Sequence, residues 1–190
     1  MFYELMMKKK GMPSNYKLVE YIESTGTQYI DTLIPKTTNV KCKLTVQSTD
    51  NSGNHVIFSY GSKSGQWFGT SNAYYSLGGG NDFSFSSTSK QDVDITIRYQ
   101  QDINVVISEE SLTRAYSSAG SESDTYRLFN VGSYTSSCKV YSCEIRDYDN
   151  NRLLRNFIPV YDTLTQKYGM WESVQSKFYG NDGTGDFLGA

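Results

Sequence analysis

The stretch Asp92-Val93-Asp94-Ile95-Thr96-Ile97-Arg98-Tyr99 alternates polar and apolar residues without a break. Successive side chains of a strand point to opposite faces, so Val93, Ile95, Ile97 and Tyr99 share one face. Asp92, Asp94, Thr96 and Arg98 share the other. A strand of this kind is buried on one side and wet on the other, as an antiparallel sheet permits. Cys42, Leu44 and Val46 alternate in the same way with Lys41, Lys43 and Thr45. His55-Val56-Ile57-Phe58-Ser59-Tyr60 is a more continuous apolar run, which predicts a central sandwich strand. Ile103–Ser108 forms a further strand, with Gln100-Gln101-Asp102 as the hairpin turn before it. In Lys139–Arg146 the alternation assigns Tyr141, Cys143 and Ile145 to one face. Asn156–Val160 is short and apolar, and Pro159, which lacks an N–H, predicts a sheet edge or a strand end there.

Turn-forming clusters separate these runs, among them Asp50–Gly53, Gly61–Gly65, Gly78–Asn81, Asp147–Asn151 and Asn181–Gly183. No apolar stripe at helical spacing lasts three turns, and no internal repeat stands out. Many short strands joined by Gly, Asn and Asp predict an all-β, two-sheet antiparallel sandwich of the jelly-roll kind. A chain of 190 residues buries about 70% of its unfolded surface, enough for one core. Lys8-Lys9-Lys10-Gly11 and Pro13-Ser14-Asn15 break any pattern, so residues 1–15 read as a tail and 16–190 as one domain. Tyr168–Phe187 reads as a closing C-terminal hairpin that packs Tyr168, Trp171, Phe178 and Tyr179 on the sandwich.

Composition excludes several functions. The net charge is −2, whereas a protein that holds nucleic acid by bulk charge is strongly basic. No stretch approaches 18 apolar residues, so no membrane-spanning helix is expected. At the N-terminus the apolar residues precede the lysines, the reverse of a secretory signal. The three cysteines, Cys42, Cys138 and Cys143, are expected to be reduced and buried. Cys138 and Cys143 are five positions apart and would face opposite sides of one strand. The single histidine, His55, lies in an apolar run, reads as core or strand edge, and leaves no Ser-His-Asp set.

Two segments carry a resemblance. Leu18–Ile34 contains Glu20-Tyr21-Ile22-Glu23-Ser24-Thr25-Gly26-Thr27-Gln28-Tyr29-Ile30. The second begins with Arg127-Leu128-Phe129-Asn130-Val131-Gly132 and Val140–Ile145. It continues through Leu153–Val160, Tyr168-Gly169-Met170-Trp171-Glu172 and Lys177–Phe187. In this order they resemble a concanavalin A-like (LamG/laminarinase-like) jelly-roll module found in gut bacterial proteins and in phage virion and surface proteins. The resemblance implies the sandwich fold. It implies function more weakly, because such a fold hosts lectins, glycosidases and structural pieces alike. It points to a phage virion accessory protein, of capsid or tail decoration or fibre type, with a lectin-like surface for host or mucosal glycans. A bacterial carbohydrate-binding module is the alternative, with a glycoside hydrolase of the same superfold ranked below it. The partners expected are other virion proteins, attached through residues 1–15, and a homo-oligomer is expected. The location expected is the virion, after synthesis in the host cytoplasm.

Sugar recognition uses rigid aromatic faces together with amide and carboxylate groups. That composition falls in the middle of the chain, where Trp67, Tyr74, Tyr75, Asn81 and Asp82 are the candidate glycan contacts. Catalysis by this fold needs paired carboxylates. Asp92/Asp94 and Glu20/Glu23 have same-face or near spacing, whereas Glu144 and Asp147 would point apart on a strand. The clustered Glu-x-Asp-x-x-Glu signature of glucanases is missing, so no enzyme and no cofactor is expected. If calcium were held, Asp50/Asn51/Asn54 or Asp147/Asp149/Asn150 would hold it, although neither matches an EF-hand.

Overall fold

The computed structural model describes residues 11–50, 52–59, 67–71, 74–77, 82–84, 86, 88–115, 123–129 and 136–190. Its strands are β1 (Tyr16–Leu18), β2 (Ile22–Ser24), β3 (Ile30–Pro35), β4 (Val40–Ser48), β5 (Asn54–Ser59), β6 (Trp67–Ser71), β7 (Tyr74–Leu77) and β8 (Gln91–Arg98). They continue with β9 (Asp102–Ile107), β10 (Glu110–Ala115), β11 (Thr125–Leu128), β12 (Cys138–Asp147), β13 (Leu153–Asp162), β14 (Lys167–Glu172), β15 (Lys177–Tyr179) and β16 (Leu188–Gly189). All pairings are antiparallel and form two open sheets, a β-sandwich as the alternation predicts. The larger sheet runs β10-β9-β8-β4-β12-β13-β14-β15 and the smaller β3-β11-β5-β6-β7.

The period-2 strands do what their patterns require. Val93, Ile95 and Ile97 of β8 and Cys42, Leu44 and Val46 of β4 are buried in the core. They meet Phe58, Phe68, Tyr75, Tyr126 and Leu128 from the smaller sheet. Each such side chain contributes about 1.5–3 kcal/mol on leaving water. β5 lies between β11 and β6, and Val56, Ile57 and Phe58 are all fully buried. This is the central strand that the continuous apolar run predicts.

Two expectations fail at irregular positions. Pro159 sits inside β13, an interior strand, not at an edge. β13 pairs with β12 up to Phe157 and with β1 from Val160, so the neighbour changes at Pro159. The Pro159 carbonyl accepts from Val19 N–H on that side. N–H and C=O of one strand residue point the same way, so the missing N–H falls at this fork and costs no ladder bond. The second failure is in β12, whose register slips between Val140 and Ser142. Tyr141 is the extra residue of a bulge, and a bulge resets the alternation. Cys138 and Val140 are therefore buried together with Cys143 and Ile145, and Tyr141 turns to the outer face. Cys138 and Cys143 thus face the same side, contrary to their spacing. All three cysteines are free and buried.

Met170 and Tyr179 of the closing hairpin point into the core. Trp171 and Phe178 lie on the outer face against Tyr16, with ring centroids 5.1 and 5.3 Å away. Two turns flank β14 and share one design ten residues apart, a similarity the sequence alone did not expose. Asp162 accepts the N–H of Leu164, and Glu172 accepts those of Val174 and Gln175. Gln166 (φ 58°) and Ser176 (φ 53°) then close each turn in the left-handed region. Residues 13–15 of the expected tail are tied down: Asn15 Nδ2 donates to Asp162 Oδ1 at 2.7 Å, and its carbonyl accepts from Thr163. Residues 1–10 lie outside the described residues.

Candidate functional site

Of the five residues expected to contact a glycan, Tyr75 and Asp82 are engaged by the protein itself. Tyr75 is fully buried, stacks on Phe68 at 5.8 Å, and donates its hydroxyl towards Val46 and Ser89 carbonyls. It belongs to the core because it shares the inward phase of β7 with Leu77. Asp82 is occupied as a clasp. One carboxylate oxygen accepts from Ser76 Oγ (3.1 Å) and Leu77 N–H (2.8 Å), and the other pairs with Arg114 at 2.5 Å. Arg114 also donates to the Leu77 carbonyl, so these bonds tie β7 of one sheet to β10 of the other. Tyr74 keeps 41% exposure beside this edge. Trp67 starts β6, but its side chain, like the whole of Asn81, lies outside the described residues.

A groove of about 680 Å³ opens instead on the outer face of the larger sheet. Strands β8, β4, β12 and β13 supply its floor, and their wet-face residues form rows across it. Asp94 lies opposite Lys43, Lys43 opposite Glu144, and Glu144 opposite Asn156. In the next row Asp92 lies opposite Thr45, and Thr45 opposite Ser142. Three strand spacings put Asp94 and Asn156 about 14 Å apart at the backbone. Every one of these side chains stands on a strand, so the floor is stiffer than a loop-built site would be.

The polar groups are ordered by their own bonds. Ser142 Oγ donates to Thr45 Oγ1 at 3.1 Å, and Thr45 Oγ1 donates to Asp92 Oδ1 at 2.6 Å. Lys43 Nζ lies 3.5 Å from Asp94, and Arg146 Nε donates to Glu144 at 2.7 Å. Arg146 also reaches the Asn151 carbonyl at 3.1 Å, and Asn156 Nδ2 donates to Ser173 Oγ at 3.0 Å. Beyond Ser142 the same face carries Tyr141 and Tyr21, with ring centroids 5.5 Å apart. Tyr141 donates to Gln47 Oε1 at 2.6 Å.

In the sequence Asp92, Asp94 and Glu144 stand out only as carboxylates for catalysis. Lys43, Thr45, Ser142, Arg146 and Asn156 carry no local signal of a site, because each looks like an ordinary wet-face residue. Only strand order brings them together. Glu20, the other acidic candidate beside Glu23, pairs with Lys90 at 3.6 Å. A proton-donating carboxyl of a glycosidase needs an apolar setting, whereas Asp94 is 57% exposed beside Lys43.

A smaller pocket of about 370 Å³ is bordered by Tyr29, Asp31, Leu33, Lys177, Tyr179 and Asp182. Its acids are engaged by structure: Asp31 accepts from Leu33 N–H and Thr125 Oγ1, and Asp182 accepts from Asp31 N–H. Two of the loop acids that could hold calcium, Asp50 and Asp147, are also engaged. Asp50 Oδ1 accepts from Ser52, and Asp147 Oδ1 accepts from the N–H groups of Asp149 and Asn150. Asn51 lies outside the described residues. His55 is buried on β5 with its Nε2 3.5 Å from Asp50 Oδ2, in keeping with a core or strand-edge position. No protein-family profile matches the chain, and no curated protein matches it.

Proposed function

We propose that the chain is a non-catalytic sugar-binding β-sandwich whose binding face is the groove on the larger sheet. The observation that carries this reading is the 680 Å³ groove itself, floored by carboxylate, amide and hydroxyl groups on four adjacent strands. Groups of these types take the hydroxyls of a sugar, and a pocket of this size suits a small saccharide. The setting that the resemblance suggests, an accessory protein of a phage particle, is part of the same proposal.

A glycan array tests the site with wild type, Asn156→Ala, Asp94→Ala and Tyr74→Ala. Binding that falls in the two groove variants and survives in Tyr74→Ala supports the reading. Binding that follows Tyr74 instead moves the site to the β7 edge, and binding to no saccharide overturns it. Mass spectrometry of purified particles tests the setting separately. Absence from particles refutes the virion assignment and favours a bacterial carbohydrate-binding module.

A further inference from the structure

We infer that the groove takes a saccharide bearing a free, protonated amino group, in preference to its N-acetylated or acidic counterparts. The inference rests on the groove being the sugar-binding face, and it follows from which hydrogen-bonding valences remain open there.

The hydroxyl donors of the relay are committed. The Ser142 hydroxyl proton goes to Thr45, and the Thr45 proton goes to Asp92. A hydroxyl has one proton to give, so this relay presents acceptor lone pairs, not donors, along the groove. The Asn156 amide gives a proton to Ser173 Oγ. Each nearby cation already faces a carboxylate or an aromatic ring. Lys43 is paired with Asp94, and Arg146 with Glu144. Lys41 lies over the Tyr148 ring at 5.0 Å. Lys90 lies over Tyr141 at 3.7 Å and pairs with Glu20. Lys139 lies over Tyr21 at 4.1 Å.

The carboxylates are not balanced in the same way. The groove lining holds three, Asp92, Asp94 and Glu144, against two cations, Lys43 and Arg146. Asp94 and Glu144 take those two. Asp92 receives only the Thr45 hydroxyl, and no ion pair to it occurs among the described residues. Its second oxygen stays open at the end of a relay whose protons all run towards it. An anionic sugar would meet this carboxylate with like charge, and the two lining cations already face Asp94 and Glu144. A neutral sugar would satisfy the acceptors with hydroxyls but gain no charge. An ammonium on the sugar ring satisfies both the open acceptors and the surplus negative charge, through charge-assisted hydrogen bonds that are about twice as strong as neutral ones.

The test uses the full chain and calorimetric titration with short oligomers of glucosamine, N-acetylglucosamine and galacturonate, with tetralysine as a charge-only probe. Wild type and Asp92→Asn are compared. Asn at position 92 keeps an oxygen for the Thr45 hydroxyl on an exposed site, so the variant is expected to fold. The glucosamine oligomer should bind about tenfold tighter than the N-acetylated one, the worth of one charge-assisted bond. Asp92→Asn should remove that advantage by weakening the glucosamine oligomer about tenfold more than the N-acetylated one. Galacturonate should bind weakest. Equal or better binding of N-acetylated or acidic oligomers in the groove overturns the amine preference and leaves the sugar-binding reading standing. An advantage that survives Asp92→Asn also overturns it, as does tetralysine binding as tightly as the amino sugar. Binding of no oligosaccharide overturns both readings.

Discussion

Alkali should unfold this protein partly through one buried sulfur, Cys138. The β12 bulge turns Cys138 inward, where it is fully buried. Burial pushes its thiol from 9.0 up to about 12, while the Ser136 hydroxyl beside it acts in the opposite sense. The folded state therefore keeps the proton after the unfolded state has lost it. Stability from this group is complete below the unfolded value of 9.0 and is lost as pH rises towards about 12. In that window the unfolded chain binds one proton fewer, so stability falls by about 1.4 kcal/mol per pH unit, or about 4 kcal/mol over three units. Half-way, near pH ~10.5, the loss is about 2 kcal/mol. Denaturant unfolding of wild type and Cys138→Ala at pH ~8 and ~10.5 measures it, because the other thiols and the tyrosines titrate in both proteins. At the lower pH the variant should be less stable by about 1 kcal/mol, the cost of a small cavity. At the higher pH the order should reverse. A gap that stays constant between the two pH values would mean that Cys138 does not titrate as a buried group, and the inward phase of this half of β12 would be wrong.

Three further outcomes follow from single contacts. Tyr75→Phe leaves the Val46 and Ser89 carbonyls without their hydroxyl donor and should cost about 1–2 kcal/mol. Sugar affinity should not change, and a variant of normal stability that lost binding would return Tyr75 to a ligand site. At Gly169 an added Cβ would come within 2.5 Å of the Phe178 ring and 2.6 Å of the Tyr179 carbonyl. Gly169→Ala should therefore destabilise by about 1–3 kcal/mol, and an unchanged melting temperature would refute the close approach. The Asp162 carboxyl is held below its usual 3.8 by the Asn15 side chain first, then by the Thr165 hydroxyl and the turn N–H groups. Its contribution is present above that usual value and fades as pH falls through the folded value. Asp162→Asn should flatten the acid limb of the stability profile, and parallel limbs for the two proteins would count against the turn.

The strands were legible where a single rule governs them. Val93, Ile95 and Ile97 alternate without interruption, and the structure buries all three. The candidate glycan residues were legible only as composition. Nothing local distinguishes Tyr74 from Tyr75, yet one is 41% exposed and the other fully buried, because the phase of a four-residue strand is set by its partner β6. Asp82 looked available because its partner Arg114 is 32 positions away. The groove was invisible for a related reason. Lys43, Asp94, Glu144 and Asn156 become neighbours only when β8, β4, β12 and β13 lie side by side, and one sequence does not state strand order.

The β12 bulge connects these two levels. Apolar residues stand at 138, 140, 143 and 145, a spacing of two, three and two, and no unbroken strand can bury all four. Strict alternation from Cys143 and Ile145 would bury Tyr141 and Lys139 and leave Cys138 and Val140 in water. Burying Lys139 without a partner is the larger cost, so the chain takes one extra residue at Tyr141 instead. The same step puts Tyr141 and Ser142 together on the outer face. There Ser142 begins the proton relay to Asp92, and Tyr141 packs beside Tyr21. A phase slip that serves the core thereby also builds the polar face. Removing one residue at this point, as in a Tyr141 deletion, should therefore damage stability and sugar binding together, whereas Ser142→Ala should weaken binding with little change in the unfolding midpoint. Binding that survives the loss of the Ser142 hydroxyl would separate the relay from recognition and leave the bulge with a structural role alone.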